Sequence, residues 1–329
     1  MYSILPVQPL LKQIQSLYSL RSPLSGTLLR AWANDVYDIR HAEGHSILKV
    51  YRPQWHSAQE VAWEADLEAY LAANGSSIVP IIPLANGSLI AELETDEGRR
   101  PVTLSHFIEG IKPDHSLTPE FYFRFGRLAA EIPQAFDRFS SPYQASVLDL
   151  ASLVDEPLAA IQPWFTSRLD DWAFLSSLGS AVRDRLNDLI EEGMDWGICQ
   201  GDYSLDNVHV VEDDRLILHD FDHAAYSWRA LDLYGVQLSP RADWDAFLGG
   251  YTSVRALKPA DLAAGPYLQP TSYFRLMARE VSFWAERAEI LRVQGWIDDE
   301  DGSPPELEQN APVAVERRVD FRRFADSTL

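Results

Sequence analysis

The stretch Gln200-Gly201-Asp202-Tyr203-Ser204-Leu205-Asp206-Asn207, with Leu218-His219-Asp220-Phe221-Asp222 a short distance on, carries more chemistry than any other part of this 329-residue chain. Between the two halves, Val208-His209-Val210-Val211 is β-branched and half apolar, Glu212-Asp213-Asp214 is a turn signal, and Leu216-Ile217-Leu218 is a second apolar run. Antiparallel pairing of those runs makes one short hairpin. It sets Asn207, just before the first strand, beside Asp220, just after the second. Asp202 lies on the preceding loop. Two oxygen donors side by side suit Mg²⁺, and a nearby free carboxylate suits a proton-accepting base. Taken singly, each of these short patterns is common, and acids near a turn usually only solvate it. The hairpin of matching length between them makes the combination informative.

Working outward, residues 25–51 read as three strands joined by short turns at Asn34-Asp35 and Glu43-Gly44, an antiparallel meander. Residues 57–73 read as a helix, with Ser57 and Glu60 as a capping box and Asn74-Gly75 as the stop. Residues 8–20 read as an amphipathic helix, and 78–84, 88–92 and 103–108 as further strands or extended segments. Beyond Thr118 helices dominate, at 118–138, 146–163, 175–193, 229–239, 242–254 and 271–294, interrupted by the hairpin. A strand-rich front and a helix-rich back predict an α+β chain of two lobes, residues 1–108 and 109–329, hinged near 107–113. Asp298 to Pro305 reads as a solvated loop.

Composition bounds the partners. Apolar content of 46% with 10 Trp, 13 Tyr and 14 Phe describes a well-packed globular chain. A net charge of −21, from 49 acids and 28 bases, argues against nucleic acid, which needs a basic footprint. It favours a cationic small molecule as strongly as it favours mere solubility. No apolar run is long enough to cross a bilayer, and the N-terminus lacks the positive start of a signal peptide. The single Cys199 forms no internal disulfide and reads as buried. A cytoplasmic protein without a membrane is the expectation.

The order Gly201-Asp202, Asn207, then Asp220-Phe221-Asp222 after a hairpin resembles the aminoglycoside phosphotransferase and choline kinase group, small-molecule relatives of the protein kinases. The resemblance covers roughly residues 25–295 and implies a protein-kinase-like fold, with a small antiparallel-sheet N-lobe, a larger helical C-lobe, and ATP or GTP with Mg²⁺ between them. It implies Asp202 as catalytic base and Asn207 and Asp220 as Mg²⁺ ligands. Gln200 stands where the group usually has His. That His mainly holds the loop by hydrogen bonds, and Gln also donates and accepts.

The same resemblance extends to supporting residues. Lys49, in the apolar strand Ile47-Leu48-Lys49-Val50, matches the lysine that grips phosphates, and strand alternation puts it on one face with Ile47 and Tyr51. Glu64, on the inward stripe of the following helix, is its expected partner, with Glu60 as the alternative. Asn34 takes part of the role of a phosphate-covering turn that has no glycine. Phe107 and Ile108 fall in the linker where adenine docks. Asp232 resembles an acid that anchors a helix. The implied activity is transfer of a phosphoryl group to a hydroxylated small molecule, aminoglycoside-like or an amino alcohol. Rival readings are a degenerate kinase that only binds nucleotide, a protein serine/threonine kinase of the same fold, and a metal-dependent glycosyltransferase using Asp220-Phe221-Asp222. The last expects alternating strand and helix at the front, where this chain has a meander.

Overall fold

A computed structural model describes residues 4–293 apart from 32–33, 53–54, 97 and 114–116, with the backbone alone for 283–293. The loop read at 298–305, residue 294 of the last predicted helix and Ala33 of the turn before β2 lie outside the described residues.

In chain order, α1 (Val7–Tyr18) precedes the meander β1 (Ser25–Ala31), β2 (Asp35–His41) and β3 (Gly44–Val50). Helix α2 (Ala58–Ala73) follows, then β4 (Ala91–Thr95) and β5 (Gly98–His106). These strands form one antiparallel five-stranded sheet in the order β1-β2-β3-β5-β4. Strand alternation gives β3 two uses. Leu48 and Val50 pack with Leu10, Leu11 and Ile14 of α1 and with Tyr37, Leu93 and Leu104 in one apolar core. The opposite face presents Lys49 and Tyr51 toward α2. The start of α2 is fixed by its predicted capping box: Glu60 N–H donates to Ser57 Oγ at 3.2 Å, and Ser57 N–H to Glu60 Oε2 at 2.8 Å. Glu60 is therefore committed to the cap.

The chain continues through α3 (Pro119–Phe136), β6 (Ser146–Val147), α4 (Glu156–Ile161), α5 (Leu169–Glu191), β7 (Trp196–Cys199), β8 (Val208–Val210), β9 (Leu216–Leu218) and β10 (Ala225–Trp228). It ends in α6 (Tyr234–Gln237), α7 (Trp244–Thr252) and α8 (Pro259–Val293). An antiparallel-sheet N-terminal part and a helical C-terminal part make the two-lobed α+β fold. By compactness the chain forms two units, residues 2–147 with 196–257, and residues 148–195 with 258 onward. In the first, Trp63 and Leu67 of α2, Phe121 and Phe125 of α3, Val208 and Leu218 of the hairpin, and Phe221 share one core. Every candidate site residue belongs to this unit. In the second, Asp261 near the start of α8 accepts from the backbone N–H groups of Asp195 at 2.9 Å and Lys258 at 3.3 Å.

Several elements differ from the sequence expectation for identifiable reasons. Of the two alternatives for 78–84 the structure takes the extended segment, with single bridges at Ile78 and Ile81, because Pro80 and Pro83 supply no N–H to a ladder. Strand β5 begins at Gly98, before the residues read as strand, because Pro101 turns its N–H-less side to the end of β3, where its carbonyl accepts from Tyr51 N–H at 2.9 Å. The helix read over 146–163 is instead β6, a π-helical turn over Ala151–Asp155, α4 and a 3₁₀ turn. Helix α8 runs through Pro266 and Pro270, which sequence reasoning treats as breakers. The four-residue strands β7 and β10 escape a periodicity test because four residues hold only two periods. Among the described residues, no helix is long and apolar enough to cross a membrane.

Candidate active site

The loop after β7 is held by a buried acid and a buried amide. Asp232 accepts the backbone N–H groups of Gln200 and Gly201, each at 2.8 Å. Burial pushes its carboxyl up to about 6, against the opposing pull of those two N–H groups. Asp232 thus anchors the loop itself rather than a helix. Gln200 is only 1% exposed. Its Nε2 donates to the Asp220 carbonyl at 2.5 Å, and its Oε1 accepts the Asp202 N–H at 2.8 Å. One side chain therefore ties the loop of Asp202 to the loop of Asp220. Gly201 has φ +85°, and a Cβ there would lie 2.1 Å from the His223 carbonyl oxygen, so only glycine fits.

The hairpin then brings the distant residues together. Val208 pairs with Leu218, and His219 N–H donates to the Asn207 carbonyl at 3.0 Å. Asn207 is 3% exposed, and its Nδ2 donates both to the Asp202 carbonyl at 2.9 Å and to Asp202 Oδ2 at 2.8 Å. Asp220 adopts φ +65°, a left-handed conformation that costs a residue with a Cβ about 1–2 kcal/mol. That backbone turn accompanies a side chain aimed at Lys49.

Lys49 Nζ lies 2.7 Å from Asp220 Oδ1 and 3.2 Å from Glu64 Oε1. Burial works against the ammonium, but the two carboxylates outweigh it and hold the Lys49 pKa well above the ordinary lysine value. The carboxylates fare unequally. Burial would raise Asp220, but the closer Lys49 reverses this and leaves it below the usual carboxylate range. Glu64 is pushed up by burial, more than Lys49 pulls it down. The Tyr51 hydroxyl donates to Glu64 Oε1 at 2.9 Å and so fixes the acid that fixes the lysine.

Of the remaining predicted residues, Asn34 is tied to this group, whereas Phe107 and Ile108 are placed on the linker, with Phe107 against His45. Asn34 is 4% exposed, and its Nδ2 donates to Asp222 Oδ2 at 2.8 Å, which ties the turn before β2 to the acidic segment. Asp35 beside it is fully buried between Arg52 at 2.9 Å and Arg100 at 2.8 Å. Phe107 stacks on His45 with ring centroids 3.7 Å apart, and Ile108 is half-buried next to it. The linker is then stitched to the hairpin: Ile111 and Val210 exchange backbone hydrogen bonds of 3.0 and 2.8 Å. Sequence reasoning passed over Tyr51 as a partner, although alternation had placed it with Lys49. It also missed Lys112, a single lysine in Gly110-Ile111-Lys112-Pro113 with no spacing signal.

The donor set fits a magnesium ion. Mg²⁺ takes hard oxygen ligands, typically one or two carboxylates, with water and phosphate oxygens completing its shell. Asp220 supplies a carboxylate. Asn207 spends its Nδ2 on Asp202, which leaves the acceptor Oδ1 for a cation. Among the described residues there is no cluster of three or more His, Cys, Asp or Glu side chains able to hold a metal by themselves.

Residues 26–265 match the profile of the phosphotransferase enzyme family. An uncharacterized protein of Deinococcus radiodurans is 33% identical over 81% of this chain and 80% of its own length. The chain belongs to the phosphotransferase enzyme family. It is a kinase, a phosphotransferase of the kind that acts on small-molecule hydroxyl groups. A homoserine kinase of Methylorubrum populi is 24% identical to this phosphotransferase over 89% of the chain and 86% of that protein. Among solved structures, a microcompartment-associated aminopropanol kinase superposes with a TM-score of 0.67 at 23% identity, covering 82% of this chain and 87% of that one. An amicoumacin kinase in complex with AMP-PNP, Ca²⁺ and Ami superposes at 0.68 with 18% identity, covering 98% and 93%. These likenesses show the same fold.

Proposed function

We propose that this phosphotransferase moves the γ-phosphoryl group of ATP, or of GTP, to a hydroxyl of a cationic small molecule such as an amino alcohol or an aminoglycoside-like compound. The observation that carries this reading is the convergence of Lys49, Glu64 and Asp220, while Asn207 joins Asp202 beside them. Lys49, oriented by Glu64 and Tyr51, binds phosphate oxygens. Asp220 and Asn207 would hold Mg²⁺, which would neutralise charge on the polyphosphate. Asp202, oriented by the Asn207 amide, positions the acceptor hydroxyl and takes its proton. The acceptor oxygen bonds to the γ-phosphorus as the bond to the bridging oxygen breaks, and the nucleoside diphosphate leaves. Most of the rate then comes from positioning and fixed charge.

The base would dock along the linker at Phe107 and Ile108, with Asn34 covering the phosphates. The lobe boundary we place near residue 108 falls at that linker. Support for nucleotide comes from the AMP-PNP-bound relative of the same fold. Support for an amino alcohol comes from the homoserine and aminopropanol kinases together with the −21 charge. The same charge makes nucleic acid an unsuitable partner, and a chain with one buried thiol suits the cytoplasm. Gln200 makes both hydrogen bonds that a loop-holding side chain must make, which weighs against a degenerate, binding-only kinase.

The test is ADP release with a panel of hydroxylated amines, joined to calorimetry with ATP and Mg²⁺. Asp202→Ala is expected to abolish transfer and keep nucleotide binding, whereas Asp220→Ala loses the Mg²⁺-dependent part of binding. Unchanged turnover in either variant defeats the role assignment.

A further inference from the structure

Lys112 is exposed, yet its side chain folds inward over the candidate site. Its ammonium donates to the carbonyl of Asp206, on the loop between Asp202 and Asn207, and to Nε2 of His219 at 2.9 Å. An ammonium can only donate, so His219 Nε2 is the acceptor in this contact. Exposed lysines normally extend their heads into water. This one instead rests on a carbonyl and an imidazole, with the Asp206 and Asp220 carboxylates acting on it through space.

We propose that Lys112 is a phosphate-contacting residue, a second cation that meets the polyphosphate of the bound nucleotide from the linker side, opposite Lys49. The inference rests on the nucleotide-dependent reading above. Its geometry is local. His219 and Asp220 are consecutive; Lys112 sits on the first and Lys49 on the second. Lys112 follows the linker directly, and its two contacts, Asp206 and His219, are the chain neighbours of Asn207 and Asp220, so its ammonium lies next to the residues that would meet the phosphates. The main chain beside Lys112 is pinned. Ile111 pairs with Val210, and a Cβ on Gly110 would lie 2.7 Å from the Val210 carbonyl oxygen. Only the side chain has to move, and it leaves two neutral acceptors for charged oxygens that bind an ammonium more strongly.

The experiment is calorimetric titration of the full chain with adenosine, AMP, ADP and ATP in the presence of Mg²⁺, comparing wild type with Lys112→Met, Lys112→Gln and Lys112→Arg. Loss of one charge-assisted contact is expected to weaken ATP and ADP by about tenfold in both uncharged variants. Adenosine is expected to change less than about twofold, and Lys112→Arg to recover most of the loss because it restores the charge. Equal weakening of adenosine and ATP makes Lys112 a scaffold residue and overturns the proposal. So does unaltered ATP affinity, or an Lys112→Arg variant no better than Lys112→Met. Failure of the wild-type chain to bind ATP at all overturns the nucleotide-dependent reading, and this inference with it.

Discussion

Replacing Gln200 by Ala probes the joint between the two acidic loops. The side chain is 1% exposed, and truncation deletes both the donor to the Asp220 carbonyl at 2.5 Å and the acceptor of the Asp202 N–H at 2.8 Å. A buried backbone group left without its partner costs about 1–3 kcal/mol. Two such groups, partly rescued by water entering the space left by the side chain, give a loss of about 2–4 kcal/mol. That is roughly a 30- to 1000-fold shift in the folding equilibrium, readable by urea unfolding. The kinetic effect is larger than stability alone implies, because both loops lose register. A misplacement of about 1 Å is enough to lower turnover about 100-fold. Gln200→His offers one ring nitrogen as donor and one as acceptor, and is expected to keep stability within about 1 kcal/mol and turnover within about tenfold. Wild-type unfolding and turnover in Gln200→Ala would refute the reasoning. So would a histidine variant as damaged as the alanine one, since the bonds would then not be what matters.

Gly201→Ala places a methyl 2.1 Å from the His223 carbonyl oxygen at a backbone φ of +85°, so the loop must shift; turnover is expected to fall more than about 100-fold while far-UV circular dichroism is retained. Arg100→Met leaves the fully buried Asp35 with Arg52 as its remaining cation and is expected to cost about 3–5 kcal/mol in urea unfolding. Asp232 makes stability fall as pH rises. Its carboxyl is lifted from 3.8 to about 6 in the folded chain, so between those values the unfolded chain holds fewer protons than the folded one. The loss develops from about pH 4 to about pH 6, amounts to about 3 kcal/mol, and is absent from Asp232→Asn in urea titrations at the two ends of that window.

The meander, the capped helix and the hairpin over 208–218 were legible because each is a local pattern: alternation over β1 to β3, a Ser57 and Glu60 box, two apolar runs around an acidic turn. The pairing of Lys49 with Glu64 was legible for the same reason, since both periods are short enough to read. What stayed hidden is non-local. No spacing in the sequence links Asn34 to Asp222, 188 positions apart, or Lys112 to His219, 107 apart. Asp232 was noticed, but its two backbone partners lie 32 and 31 residues back, and no side-chain pattern marks a backbone donor. The helical segments beyond residue 146 misled because prolines at 157, 163, 266 and 270 fall sometimes in first turns and sometimes inside a continuing helix.

Cys199, the sole thiol of the chain, is fully buried at the end of β7, one position before Gln200. A sulfhydryl reagent can reach it only when that strand lifts away from its neighbour β10, with which Cys199 pairs through Ala225. The rate of labelling is therefore a clock for opening of the strand that leads into the loop over 200–207, without any introduced probe. Run beside ligand titrations, it would time how firmly a bound ligand holds that strand in place.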